Sequence, residues 1–425
     1  MIAIAGAVTV LVTLAILTSG RLSPVVTFIV VPLAAAVATG FGVADINKFI
    51  TVGFATVSPI VALFIFAILF FSVMTEQGLF EPVVRRVLRF AGSNARLVMV
   101  CTVVVAALAH LDGAGATTYI VTITAFIPVY RRLGLSVPDL LMLTGTTAGI
   151  MNMEPWAPAT VRAASVIKMD PTMLWRPLLP VQAAGLLCMV LLAAWRSHAA
   201  VNRMAVVTGD GQLVMTEARR LDWRYAVNAA LTIAVLAALL FWTVSSVLVF
   251  MVGLAIALPV NYSASQQQME AIRRHAKEAL LLATVLLSAG VFLGVLGSSG
   301  MLDQLSRAII LALPARLAAN LHLIVGVLAT PLGMMFGSDP YYFGILPVIL
   351  PIAAGNGVDP GSVARAMMIG ENVGFAISPM VASGYLLVGL GGVEFGAHIR
   401  YAFFTTWLVS LVMLATAVLT GAIAI

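Results

Sequence analysis

Four acidic residues, Asp112, Glu154, Asp339 and Glu371, each interrupt an otherwise apolar stretch of this 425-residue chain. A carboxylate near the centre of a bilayer costs about 2.5–3.5 kcal/mol on insertion scales, so acids there point to cation binding, proton carriage or ligand contact. An aspartate at a break also caps a helix by accepting backbone N–H bonds, and for Asp112 and Asp339 capping and coordination stand side by side. The neighbouring residue types extend this chemistry. Gly113, Gly115, Gly337 and Gly374 let backbone bend and approach a ligand closely. Thr117, Thr118, Asn152, Ser338, Asn372 and Ser378 offer neutral donors and acceptors, or local caps. Helices that restart after a break aim free N–H groups at an anion, while carboxylates and unwound carbonyls suit Na⁺, Mg²⁺ or Ca²⁺.

Other residues near the breaks carry two readings each. Trp156, Tyr341 and Tyr342 could wall a pocket or simply pack. Arg162 and Arg365 suit a ligand carboxylate, one of the acids, or the membrane interface. His110, two residues before Asp112, reads as a proton relay or as a packed neutral histidine. Cys101 and Cys188 lie inside apolar runs, which argues for packing rather than a disulfide or a thiolate metal site. No GxxxxGK[ST] loop or HExxH motif occurs, so neither ATP drive within the chain nor zinc hydrolysis is supported.

The elements that must position these residues are membrane elements. Hydrophobic residues make up 61% of the chain and charged residues 9%, with a mean hydropathy of +1.08, which leaves too little polar surface for a soluble domain. The formal charge of +6 resides in short loops between apolar runs, where it sets orientation and carries no message about nucleic acid. The run from Ile2 to Leu17 lacks a basic leader and a small-residue cleavage site, and reads as a retained span.

The chain also repeats itself at a separation of about 222 to 224 residues: Gly78 matches Gly300, Glu81 Asp303, Tyr119 Tyr342, Pro128 Pro351, Gly134 Gly357 and Pro155 Pro379. Duplicated, interrupted membrane segments mark secondary transporters whose substrate lies at the midplane between related halves. The fold class expected is an all-α polytopic membrane protein with an inverted repeat, about eleven spans, two re-entrant hairpins and two broken helices. Residues 1–50 hold N-terminal scaffold spans. Residues 51–195 form the first repeat, with a hairpin at 96–132 turning at HLDGAGATTY and a broken helix at 137–167 opening at NMEPWAPA. Residues 196–277 supply cytoplasmic connectors and two linking spans. Residues 278–425 form the second repeat, with a hairpin at 318–352 turning at FGSDPYYFG and a broken helix at 362–391 opening at GENVGFAISP. Segments 79–91 and 300–312 are too short and charged to cross, and read as helices lying in the interface. Placing the N-terminus outside puts most arginines and lysines inside and makes the two halves opposite in direction.

The strings LDGAGATTY, GIMNMEPWAPATVRAAS, SDPYYFGILPV and SPMVASGYLLVGLGGVEFGAHIR resemble the citrate-metal:proton symporters, the CitMHS family of the ion transporter superfamily, over almost the whole chain. The resemblance implies a homodimeric carrier of the bacterial inner membrane, with a transport part that moves as an elevator carrying citrate with a divalent metal. Asp112, Gly113, Gly115, Thr117 and Thr118 match the first hairpin signature, and Asn152, Pro155, Trp156 and Arg162 the first broken helix. Asp339, Tyr342 and Gly344 match the second hairpin, and Ser378 with Pro379 the second broken helix. Ala114 stands where the family usually has a second Asp, Ser338 where it has Asn, and Glu154 where it has an apolar residue. Ala157 and Pro158 replace a small Gly-rich pair, and Glu371 and Asn372 replace Gln-Pro. Citrate carries roughly three negative charges, so ionised carboxylates in the pocket would repel it unless a metal or protons intervene.

The expectation is therefore an ion-coupled symporter of a citrate-like di- or tricarboxylate, not an enzyme. Gly113, Gly115, Thr117, Thr118, Asn152, Pro155, Trp156, Ser338, Tyr342, Glu371, Asn372 and Ser378 would meet substrate, and Asp112, Glu154 and Asp339 would meet metal. The resident chemistry needs no cofactor; a proton or Na⁺ would drive transport, and Mg²⁺ or another divalent metal would travel with the substrate. The partners are the small carboxylate, membrane lipid and a second copy of the chain. A carrier for another metabolite on the same fold is the alternative, with a membrane-embedded enzyme or a channel further behind.

Overall fold

The computed structural model describes residues 2–201, 222–242, 244–312 and 314–424. The expected connector at 196–224 lies largely outside these residues. Among the described residues the regular structure is helical throughout, and one succession of helices occurs twice. In the first, α1 (Ile2–Ser19) and α2 (Pro24–Ala38) lead into the long α3 (Val43–Glu76), the short α4 (Glu81–Ala91), the pair α5 (Ala95–Ala109) and α6 (Gly115–Arg132), the pair α7 (Val137–Met151) and α8 (Pro158–Ile167), a short α9 (Pro171–Trp175) and α10 (Leu179–Val201). In the second, α11 (Trp223–Phe241) and α12 (Ser246–Asn261) lead into the long α13 (Ser265–Ser298), α14 (Met301–Ala312), a short α15 (Ala315–Ala319), the pair α16 (Leu321–Phe336) and α17 (Leu346–Ala354), the pair α18 (Pro360–Gly374) and α19 (Ala382–Gly391), and α20 (Phe395–Leu419).

Both long helices have 34 residues, about 50 Å at 1.5 Å per residue, which exceeds a hydrocarbon core of about 30 Å. The expected boundaries at 50 and 277 fall inside them. Polar first turns such as SQQQMEAIRRHAKE read as connector by composition, yet their Gln, Glu, Lys, Arg and Ala favour helix and simply extend the apolar run. α3 and α13 pack along each other, α2 against α13 and α12 against α3, so the long helices form the middle of the scaffold.

Six described helices are long and apolar enough to cross a membrane, and the pair Pro360–Ile377 with Ala382–Gly391, bent by 42°, adds a seventh. Five shorter apolar helices, among them Leu321–Phe336 and Pro340–Ala354, accompany them. The chain is thus a multi-pass membrane protein. Short helices end where the sequence supplies a stop: Gly113 at φ 72° after a 3₁₀ turn at His110–Asp112, and Gly337 at φ 71° after α16. Positive φ favours glycine at both tips, with Gly113 left-handed at ψ 9° and Gly337 extended at ψ 170°, so equivalent residues turn the two hairpins through different geometries. A π-helical turn at Pro340–Ile345 follows the second tip.

Candidate substrate site

The first break leaves residues 152–157 between α7 and α8, and the second leaves a 3₁₀ turn at Phe375–Ile377 and residues 378–381 between α18 and α19. Glu371 and Asn372, expected in unwound backbone, instead occupy the last turn of α18. Gly370 does not break the helix: its missing side chain makes room for Ala329 and Thr330 of α16, and α18 continues past Glu371 and Asn372 to Gly374. α7 and α18 cross at Gly149, where any side chain would strike the Asn372 carbonyl and the Val373 backbone. That contact sets Asn152, one turn on, opposite Asn372.

A continuous polar chain joins all four interruptions. Glu371 accepts bonds from Ser338 Oγ at 2.5 Å and from the Tyr342 hydroxyl at 2.8 Å, both on the second hairpin. Asn372 Nδ2 donates to the same Tyr342 oxygen at 3.3 Å and to the Met368 carbonyl at 2.8 Å. Asn152 Nδ2 donates to Asn372 Oδ1 at 2.8 Å, and Asn152 Oδ1 faces His110 Nε2 at 3.4 Å. His110 Nδ1 then meets Thr118 Oγ1 at 2.8 Å on the first hairpin. Ser338 is half-buried and the other members are buried. An unsatisfied buried polar group costs about 1–3 kcal/mol, so each link holds its neighbours in place.

Beside this chain lies a cavity of about 1130 Å³. Asp112, Gly113, Gly115, Thr117 and Trp156 line one part of it together with Arg162. Asp112 Oδ1 accepts the Ala114 N–H at 2.8 Å, so one oxygen caps the hairpin tip. The Trp156 indole donates to the Leu111 carbonyl at 2.9 Å and packs on Phe71 and Phe250, which ties the first break to both the hairpin and the scaffold. Arg162 Nε donates to Asp339 Oδ1 at 2.6 Å, joining α8 to the second hairpin tip. Glu154 is 2% exposed and neither carboxylate oxygen finds a hydrogen-bond partner among the described residues, while Asp112 is its electrostatic neighbour. A carboxylate so placed calls for a cation or a proton beside it.

The residues expected at the site divide accordingly. Thr118, Asn152, Ser338, Tyr342, Glu371 and Asn372 share the polar chain; Asp112, Gly113, Gly115, Thr117 and Trp156 line the cavity. Pro155 is buried in the first break, and Ser378 bonds the Met334 carbonyl at 3.1 Å and accepts from Met380 N at 3.2 Å, both bracing contacts. Asp112, Glu154 and Asp339 do not make one cage: no described group of three or more His, Cys, Asp or Glu is placed to hold a metal, and Asp339 meets Arg162. Arg365 lies elsewhere, bonded to the Ala422 carbonyl and to Asp359. The cavity rim also holds Glu76, Arg274, His275 and Lys277, with Glu76 bonded to Arg274 at 2.7 Å and to His275 at 2.8 Å. Their separation of 198 and 199 residues left no local pattern to read.

Comparison with known proteins decides the family. The family model described as "Citrate transporter" (CitMHS) matches residues 11–370. The chain belongs to the CitMHS family. It is 33% identical over 431 residues to a protein named "Citrate transporter" and 34% identical over 432 residues to a "Mg(2+)/citrate complex secondary transporter", both from Bacillus subtilis (strain 168), with 100% of each chain covered. In fold it is similar to the YdaH transporter of Alcanivorax borkumensis, with a TM-score of 0.63 at 15% identity over 88% of this chain and 87% of that one. CitMHS membership bears out the resemblance read from the four motifs and makes the chain a transporter rather than an enzyme. The family match takes in Asp112, Glu154, Arg162 and Asp339, and stops just short of Glu371, Asn372 and Ser378.

Proposed function

We propose that this CitMHS member is a secondary active symporter that carries citrate, or a citrate-like di- or tricarboxylate, as a complex with a divalent metal. The observation that carries the reading is opposite chemistry on one cavity wall: Asp112 suits a cation, Arg162 suits a carboxylate, and both face the same space. The named cargoes of the two Bacillus subtilis relatives support the same pairing. Glu154 adds a second acid that no described residue neutralises, which favours a cargo bringing its own cation over a bare trianion.

Glu371 is the coupling site in this reading. Two hydroxyls hold its carboxyl at the end of the polar chain, in reach of a proton or Na⁺ that would enter with the substrate. The hairpins and broken helices form a transport part that moves as an elevator against α3 and α13, in a homodimer of the bacterial plasma membrane. With the N-terminus outside, Arg274 and Lys277 on the cavity rim lie on the cytoplasmic side, in keeping with the positive-inside rule.

Proteoliposomes loaded with purified protein test this. Uptake of labelled citrate that saturates, needs Mg²⁺ or a similar metal, and stops when the proton or Na⁺ gradient is collapsed supports the symporter. Non-saturating flux would point to a channel, and absence of carboxylate uptake would remove the citrate assignment. Glu154, a buried acid without a hydrogen-bond partner among the described residues, also favours a second reading: a carrier for a less anionic metabolite. Competition by a panel of mono-, di- and tricarboxylates separates the two.

A further inference from the structure

Arg162 and Asp339 come from different halves of the chain, 177 residues apart, and meet at 2.6 Å with side-chain exposures of 12% and 18%. Arg162 lines the cavity, whereas Asp339 is not among the lining residues. Asp339 takes only Nε; the two Nη groups make no hydrogen bond to any described residue. A guanidinium offers five donors in a fork that matches a carboxylate with two parallel bonds, and here the fork stays open beside the cavity.

Resting on the function proposed above, we infer that this ion pair holds the place of the cargo and selects for the metal complex. When a metal carboxylate enters, its carboxylate takes the guanidinium of Arg162, and the Asp339 carboxylate so released takes the metal. The exchange balances charge at both ends. A metal-free carboxylate displaces Asp339 equally well but leaves it as an uncompensated, mostly buried anion, which opposes binding. The pair therefore penalises the free acid without touching it, a specificity device of the repulsive kind. Asp112 lines the same cavity as Arg162. Ser338 adjoins Asp339 and bonds Glu371, so release of the tip is felt at the polar chain.

The test measures binding by thermal shift and titration calorimetry on purified full-length protein, with citrate plus EDTA and with citrate plus Mg²⁺. The wild type is expected to bind the Mg²⁺ form at least about tenfold more tightly, and Asp339→Asn to bind both forms within about threefold because free citrate no longer strands an anion. Asp339→Ser, a smaller neutral variant, gives the same readout should the Asn variant prove unstable. Arg162→Gln is expected to lose both forms. Wild-type preference for the complex retained unchanged in Asp339→Asn and Asp339→Ser overturns the inference alone. A wild type that binds neither form removes the citrate reading and this inference together.

Discussion

Asn152 donates its side-chain amide to Asn372 at 2.8 Å, which closes the contact between the two broken helices from opposite halves of the chain. Each partner has its remaining polar atoms occupied: Asn152 faces His110, and Asn372 bonds Met368 and Tyr342. Replacing Asn372 by Ala strands the Asn152 amide in buried surroundings and takes one donor from the Tyr342 hydroxyl, which keeps its bond to Glu371. The expected loss is about 2–4 kcal/mol of stability, with transport reduced at least as strongly as by loss of either bond alone. Thermal unfolding and uptake of the single variants and of Asn152→Ala/Asn372→Ala measure this, and additive effects would show that the two amides act separately.

Gly149 permits the approach that makes that bond possible. Gly149→Ala puts a methyl group against the Asn372 carbonyl and the Val373 backbone, neither of which can swing away. Overpacking of this kind costs about 1–3 kcal/mol and is expected to lower the unfolding temperature by several degrees. Wild-type stability in this variant would mean that the helices cross less closely.

Glu154 lies buried with both oxygens unbonded among the described residues. Glu154→Leu removes that uncompensated group and is expected to raise the thermal stability of the unliganded protein by about 1–3 kcal/mol, while lowering affinity for the metal complex. A fall in unliganded stability would reveal a partner for the carboxylate.

Glu371→Gln keeps the shape of the coupling group but cannot take up a proton. The Tyr342 hydroxyl and Ser338 hydroxyl, the Arg162 guanidinium and the Asp339 carboxylate are the charged and polar groups around it. If Glu371 carries the proton, the sign of the effect is fixed: wild-type uptake falls as rising pH deprotonates the carrier, and the Gln variant loses that fall. A variant with the wild-type pH profile clears Glu371 of the role.

The interruptions were legible because apolar runs broken by Gly, Pro and acids leave few places for a helix to continue. HLDGAGATTY, NMEPWAPA and FGSDPYYFG turn or open where they stand in the sequence. The second broken helix was read a few residues early, since Gly370 serves close packing against Ala329 and Thr330 and leaves Glu371 and Asn372 inside α18. Partners across the halves were not legible. Residue type and position gave Arg162 and Arg365 the same readings, and only folding gives Asp339 to the one and Asp359 with the Ala422 carbonyl to the other. The three acids assigned to metal likewise could not be seen to separate, because an ion pair formed over 177 residues leaves no periodic trace. Glu76 with Arg274 and His275 shows the same limit at the cavity rim.

The central claim is that the cargo fills the cavity lined by the first half's interruptions, which the Arg162–Asp339 pair and the polar chain tie to the second half. Thr117 lines that space, so a single cysteine there, Thr117→Cys in a chain with Cys101→Ala and Cys188→Ala, reports on its occupancy. A ligand buried in the cavity should shield the thiol, and Mg²⁺ with citrate is expected to slow labelling by a small hydrophilic thiol reagent about fivefold or more. Labelling at an unchanged rate, in a variant that still takes up the complex, would contradict it.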